Sequence, residues 1–100
     1  MLLAFSVAPA GEGDSTGVSE AVAAAVRVVR ESGLPHETTA MFTTVEGEWD
    51  EVMEVVRKAT DVVAAQSSRT SLVIKADIRP GHTNQLEEKV RRVEERLEQE

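Results

Sequence analysis

The alternation of large and small side chains near the start of the chain predicts a β-strand over residues 2–8. Large apolar side chains face one side of this strand, and small or polar side chains, among them Ser6, face the other. The large apolar set is Leu3, Phe5 and Val7. Pro9 ends the strand because proline has no amide hydrogen to donate to a neighbouring strand.

Two segments carry apolar residues at the spacing of an amphipathic helix. Residues 18–32 form the first, and Gly33 and Pro35 behind it are typical of a helix end. Residues 48–65 form the second, and acidic residues crowd its first turn, where the helix dipole favours negative charge. Trp49 begins the apolar stripe of this second helix and is therefore expected to be a core anchor.

The remaining segments predict further strands and a closing helix. Residues 36–45 are rich in threonine and predict extended structure, as one long strand or as two short ones. Residues 70–78 alternate between apolar and polar side chains and predict a strand with one charged face. Residues 83–100 predict a third helix, whose narrow apolar stripe suits docking on a neighbouring subunit.

The order of these elements favours an α+β fold. Two strands within residues 36–45 give the order β-α-β-β-α-β, a ferredoxin-like sandwich with an antiparallel sheet and a further helix at the C-terminus. Right-handed crossovers place both connecting helices on one face of the sheet. The 100 residues are expected to form a single domain, 1–100. A core built mainly from valine and alanine is thin, so we expect oligomerisation to add stability.

Composition and charge exclude several classes of function. The chain has no cysteine, which excludes disulfides, thiolate catalysis and cysteine-based metal sites and fits a cytoplasmic protein. The formal net charge of −7 argues against nucleic acid and anionic membranes as partners. No apolar run approaches the roughly 18 residues of a membrane span. His36 and His82 stand in no metal-binding pattern, so no metal site is expected.

A glycine-rich loop between the first strand and the first helix calls for comparison with nucleotide-binding loops. Glycines at positions 11, 13 and 17 are one residue away from the dinucleotide-binding spacing, and the chain is too short for the fold that this fingerprint serves. No nucleotide or other cofactor is therefore expected. We interpret the loop as a connector that ends in a helix cap from Ser15 or Thr16.

The polar face of the last strand is one candidate for chemistry. Lys75, Asp77 and Arg79 emerge on the same side of this strand. They form either a solvated face, or an inter-subunit surface or ligand pocket that also buries Ser6 and Thr43 or Thr44. Buried charges need partners, which a Lys75–Asp77 or a Glu46–Arg79 pair would supply.

The junction between the threonine-rich segment and the second helix is the other candidate. Gly47 permits a sharp turn from strand to helix. Glu46 has no obvious core or capping role, so it is a plausible anchor for a cationic or amine-bearing ligand. A general base formed by Glu46 near Lys75 or Asp77 is the catalytic alternative, but no nucleophile stands at motif spacing.

The run TTVEGEWDEV at residues 43–52 resembles the signature of the small thiamine-binding, MTH1187/YkoF-like proteins, the UPF0045 or DUF77 family. The strand VIKADIR at residues 73–79 and the charged closing helix agree with it. The resemblance implies a ferredoxin-like fold, dimers that pair into tetramers through their sheets, and binding of thiamine or its hydroxymethylpyrimidine part without catalysis. By position it implies ligand contacts from the following residues: Thr43 or Thr44, Glu46, Gly47, Lys75 and Asp77.

Two departures from the family pattern define the competing hypotheses. The family often has proline and glycine where this chain has Ala40 and Phe42. Our first hypothesis is a non-enzymatic binder of thiamine or a related pyrimidine that forms a homodimer or homotetramer. The alternative is a structural or regulatory oligomer without a small-molecule ligand, in which Phe42 fills the pocket. A small enzyme that uses Glu46 as its base is the third.

Overall fold

The protein is described by a computed structural model that covers residues 1–11 and 18–100. The elements in chain order are β1 (Leu2–Pro9), α1 (Val18–Glu31), β2 (His36–Thr38), β3 (Thr43–Glu46), α2 (Trp49–Ala64), β4 (Thr70–Asp77) and α3 (Gln85–Glu98). The strands form one antiparallel sheet in the order β2-β3-β1-β4. The predicted ferredoxin-like β-α-β-β-α-β order with an added C-terminal helix is confirmed, and residues 36–45 contribute two strands. The glycine-rich loop with its cap at Ser15 or Thr16 lies outside the described residues.

The core lies between one face of the sheet and the helices α1 and α2. The alternation along β1 places Leu3, Phe5 and Val7 on this face, where they are buried. Val45 of β3 is buried directly opposite Leu3. The helices complete the core with small and β-branched side chains: Ala21, Ala25, Val29, Val52, Val55, Val56, Ala59 and Val63. These side chains are small, so the helices approach the sheet closely but bury limited apolar area for each residue.

Trp49 is not the core anchor that its position on the helical stripe predicts. Its side chain is 55% exposed, whereas Val52 and Val56 of the same stripe are buried. Trp49 is the first residue of α2. Because helical side chains tilt toward the N-terminus of their helix, its ring projects past the start of α2. The prediction was therefore wrong, because helical periodicity does not show where on the helix a residue of the stripe lies.

β4 is an edge strand with little cover on either face. It pairs only with β1 within the described sheet. Ile74 lies opposite Phe5 and therefore on the same side as α1 and α2, yet it is 41% exposed. Val73, on the other face, is 52% exposed. The two helices thus cover β1 and β3 and leave β4 largely in solvent.

α3 carries an apolar stripe that is exposed to solvent. Val90, Val93 and Leu97 recur at the spacing of one helical face, and each of them is more than half exposed. The stripe predicted for this helix is therefore present on the helix and has no partner among the described residues.

Candidate functional site

The face of the sheet opposite α1 and α2, which we call the open face, carries three predicted residues at its centre. Thr44 and Lys75 pair with Ala4 from opposite sides. Directly opposed residues share a face, and two strand spacings place the Cα atoms of Thr44 and Lys75 about 10 Å apart. Ser6 stands two residues further along β1 and faces the same way. The open face thus brings Ser6, Thr44 and Lys75 together, as predicted, around small side chains.

The row at the start of β1 is where α3 attaches to the sheet. Glu46 and Asp77 flank Leu2 on the open face. The carboxylate of Glu46 is buried and accepts hydrogen bonds from the backbone amides of Gln85 at 2.7 Å and Leu86 at 3.1 Å. These are the first two residues of α3, whose amides have no carbonyl partner inside the helix. Glu46 therefore caps α3, and its negative charge also suits the helix dipole.

Asp77 forms the second attachment of α3. The ammonium group of Lys89 donates a hydrogen bond to the Asp77 carboxylate. This hydrogen bond and the charge of Lys89 lower the pKa of Asp77 below its usual value, and the charges of Arg79 and Lys75 add to the lowering. The expected pairs Lys75–Asp77 and Glu46–Arg79 are not formed. Their carboxylates are engaged by α3 instead, which crosses this end of the open face.

Gly47 is required by close packing and not by a special backbone conformation. Its φ angle is not positive, so the turn from β3 to α2 does not need glycine for its backbone conformation. A Cβ atom at this position would lie 3.2 Å from Cγ2 of Val52 and 3.4 Å from Cδ1 of Leu34. The amide and carbonyl of Gly47 both bond to Met1, at 3.1 Å and 2.9 Å. Gly47 thus allows the start of α2, the segment around Leu34 and the start of β1 to pack closely against one another.

Thr43 faces away from the open face, toward the helices. It lies opposite Phe5 and opposite Thr38 across the β2–β3 hairpin, and its side chain is buried. Its hydroxyl is 3.4 Å from the hydroxyl of Thr38. The alternation along β3 therefore separates Thr43 from Thr44, which the sequence had offered as equivalent candidates.

A cavity of about 190 Å³, which we call the hairpin cavity, opens where this hairpin meets α1. Thr38, Thr43, Phe5 and Phe42 line it, and so does Ser6, although the side chain of Ser6 faces the open face. Further lining comes from the hairpin loop and one side of α1: Val22, Val26, Thr39, Ala40 and Met41. Ala40 and Phe42, the two positions expected to depart from the family pattern, therefore border this cavity.

The side chain of Thr39 holds the conformation of the hairpin loop, together with a backbone hydrogen bond from Thr39 to Phe42. The hydroxyl of Thr39 donates to the carbonyl of Phe42 at 3.1 Å and accepts from the amides of Met41 and Phe42. The hydroxyl of Thr39 is thus occupied by the loop itself, whereas the Thr38–Thr43 pair faces the cavity. Sequence reasoning missed Thr38, because its position opposite Thr43 follows only once the hairpin register is known.

The model of the family described as thiamine-binding protein matches residues 3–94 of the chain. The chain belongs to the thiamine-binding protein family. Its relatives include a UPF0045 protein of Mycobacterium tuberculosis, 54% identical over 98 residues, which are 97% of this chain and 94% of the relative. A UPF0045 protein of Methanocaldococcus jannaschii is 33% identical over 90 residues, 90% of this chain and 88% of the relative. The predicted resemblance is thereby confirmed.

Solved structures agree with the family and with the fold. A hypothetical protein from Methanocaldococcus jannaschii superposes with a TM-score of 0.82 at 31% identity, covering 94% of this chain and 95% of that one. A candidate thiamine biosynthesis/salvage protein from Thermotoga maritima superposes with a TM-score of 0.78 at 27% identity. That match covers 92% of this chain and 96% of the other.

The described residues hold neither a cluster suited to a metal ion nor a membrane-spanning helix. No group of three or more histidine, cysteine, aspartate or glutamate side chains stands close enough together to hold a metal ion there. Across the same residues, none of the helices has both the length and the apolar character that crossing a membrane requires.

Proposed function

We propose that the protein is a non-enzymatic binder of thiamine or its hydroxymethylpyrimidine moiety and acts as a homo-oligomer in the cytoplasm. The observation that carries the proposal is the hairpin cavity, where Thr43, one of the predicted residues, meets Thr38 and Phe42. Membership of the thiamine-binding family supports this class of ligand. So does the likeness to a candidate thiamine biosynthesis/salvage protein.

The size and chemistry of the hairpin cavity favour the pyrimidine ring over the whole vitamin. Its volume of about 190 Å³ is below the roughly 300–1,000 Å³ of sites for drug-sized ligands, so it suits a single ring. Aminopyrimidines present amino donors and ring-nitrogen acceptors in one plane, and threonine hydroxyls can serve both. Phe42 offers an aromatic face or edge. The described lining residues include no carboxylate, so the thiazolium cation would remain outside.

The opposite orientations of Thr43 and Thr44 give a direct test of this placement. Thr43→Val removes a hydroxyl from the cavity at nearly constant shape, and Thr44→Val makes the same change on the open face. We expect calorimetry to show hydroxymethylpyrimidine binding weakened about 3- to 10-fold by Thr43→Val, the value of one hydrogen bond. Thr44→Val should keep the wild-type affinity. The reverse pattern would place the ligand on the open face, with Lys75.

The uncovered surfaces of β4 and α3 support the homo-oligomer. A long apolar edge strand is normally protected, because its unpaired backbone groups recruit other strands. β4 is eight residues long and exposes Val73 and Ile74 on opposite faces. The apolar stripe of α3 is exposed as well. A second copy that covers β4 and α3 would remove both surfaces from water.

The role of Glu46 favours binding over catalysis. Both oxygens of its carboxylate accept backbone hydrogen bonds from α3. A general base needs a free lone pair directed at substrate, and this carboxylate has its best acceptor positions occupied. The hypothesis of an enzyme that uses Glu46 therefore has less support than the binding proposal.

A structural oligomer without a ligand is the second candidate, and Phe42 is the observation that favours it. The half-buried Phe42 ring lines the hairpin cavity, where the family often has glycine, and reduces its volume. This candidate predicts that the wild type binds no pyrimidine and that Phe42→Gly gains binding. Wild-type protein that binds hydroxymethylpyrimidine by calorimetry eliminates it.

A further inference from the structure

Trp49, the only tryptophan of the chain, lies on a second cavity at the other end of the sheet. This cavity, which we call the tryptophan cavity, has a volume of about 370 Å³ and is therefore within the range of small-ligand sites. It is lined by residues next to the start of β1 and by the loop that leads from β4 to α3: Met1, Trp49, Ile78, Arg79, Pro80 and His82. The hairpin cavity borders the opposite half of β1.

The walls of the tryptophan cavity combine flat apolar surfaces with one positive charge. Trp49 and Ile78 are 55% and 60% exposed, so both present apolar area to a ligand. Pro80 adds a rigid apolar ring. Arg79 has no carboxylate within ion-pair distance among residues 1–11 and 18–100. The charge of Arg79 contributes to the lowered pKa of Asp77, but Lys89 is the main cause of that lowering.

His82 is held in a defined orientation at the rim of this cavity. Its Nδ1 atom is 3.2 Å from the carbonyl oxygen of Pro80. The backbone amide of His82 also donates to the carbonyl of Arg79 at 3.2 Å, and Gly81 adopts a φ of 78° in this turn. The turn therefore fixes Arg79 and His82 relative to each other.

We propose that the tryptophan cavity binds a planar aromatic ligand that carries an anionic group. The ring lies against Trp49, Ile78 and Pro80, and the anion accepts from the guanidinium group of Arg79. The carboxylate of Glu48 also lines the cavity and repels an anion, so the anionic group lies at the Arg79 end. This site is separate from the hairpin cavity and does not depend on the pyrimidine proposal.

Trp49 is its own reporter, because tryptophan emission in this chain comes from this residue alone. The probe is phenyl phosphate, titrated into the full chain with excitation at the red edge of the tryptophan absorption. We expect saturable quenching by phenyl phosphate, and at least about ten-fold weaker responses to phenol and to inorganic phosphate. Phenol lacks the anionic group, and inorganic phosphate lacks the aromatic ring. A ten-fold difference in affinity corresponds to about 1.4 kcal/mol.

Two charge-matched variants locate the anion. Arg79→Gln removes the proposed cation and should weaken phenyl phosphate binding about ten-fold or more, since hydrogen bonds to charged groups have at least this value. Arg69→Gln makes the same charge change just before the other end of β4 and should leave binding unchanged. Far-UV circular dichroism verifies that both variants are folded.

Four outcomes would overturn the proposal. Quenching that does not saturate means that phenyl phosphate has no site at Trp49. Equal weakening by Arg79→Gln and Arg69→Gln means that only overall charge matters. Loss of quenching in Thr43→Val places the probe in the hairpin cavity. Emission that changes with protein concentration but not with phenyl phosphate means that a second copy of the chain covers Trp49.

Discussion

Replacement of Glu46 by glutamine tests how α3 is held. The carboxylate accepts two backbone hydrogen bonds in a buried position, and each hydrogen bond to a charged group contributes about 1.5–3 kcal/mol. Glutamine keeps one acceptor oxygen and places an NH₂ group against the second amide. The change therefore removes about one charged hydrogen bond and leaves one amide of α3 without an acceptor.

We expect the loss to appear first as local release of α3. Apart from the Glu46 cap, the polar attachment of α3 to the sheet is the exposed pair between Lys89 and Asp77, and exposed pairs contribute only about 0–1 kcal/mol. A loss of 1.5–3 kcal/mol of this stabilisation raises the population in which α3 is detached about 10- to 150-fold. Hydrogen exchange of the peptides around Gln85 and Leu86, followed by mass spectrometry, measures this population.

The matched control is Glu37→Gln, which removes the same charge from an exposed position on β2. Exchange in α3 should be unchanged in this variant at the same protein concentration. If Glu46→Gln also leaves the exchange of Gln85 and Leu86 unchanged, Glu46 does not hold α3, and its burial would need another explanation.

Three further predictions concern packing, pH and assembly. Gly47→Ala should destabilise the protein by about 1–3 kcal/mol in urea denaturation, because the added methyl group meets Val52; an unchanged midpoint would contradict the packing role. The stabilisation that Lys89 gives through the lowered pKa of Asp77 should be present above about pH 4 and be lost as the pH falls through that lowered pKa, so wild type and Lys89→Met should converge in α3 exchange at acid pH. A difference that persists after Asp77 is protonated would contradict this linkage. Ile74→Lys on β4 should reduce the mass measured by light scattering without loss of helical circular dichroism, and an unchanged mass would exclude β4 from the subunit contact.

The fold could be predicted from the sequence because local periodicity and topology agree. Alternation in β1 and β4 and the helical stripes of α1 and α2 each define one element and one buried face. The split of residues 36–45 into two strands was not visible in turn residues, since no asparagine–glycine or aspartate–glycine pair marks it. It followed from topology, because two strands complete the right-handed β-α-β-β-α-β arrangement.

The site could be predicted only in part, because its geometry depends on contacts between distant segments. Ser6, Thr44 and Lys75 do share the open face, as the alternation of their strands requires. Glu46 was interpreted as a ligand anchor because it has no obvious capping role for the adjacent helix α2, and the helix that it caps begins 39 residues later. The exposure of Trp49 depends on where α2 begins relative to the sheet, which a helical stripe does not specify.

The most direct test of the central claim is thermal denaturation of the wild-type protein with increasing hydroxymethylpyrimidine and thiamine. A thiazole without the pyrimidine ring is the control. A ligand at 100 times its dissociation constant adds about 2.7 kcal/mol to the free energy of unfolding. We predict a saturable rise in melting temperature with both pyrimidine-containing ligands and none with the thiazole. An unchanged melting temperature at millimolar hydroxymethylpyrimidine and thiamine would contradict the proposed function.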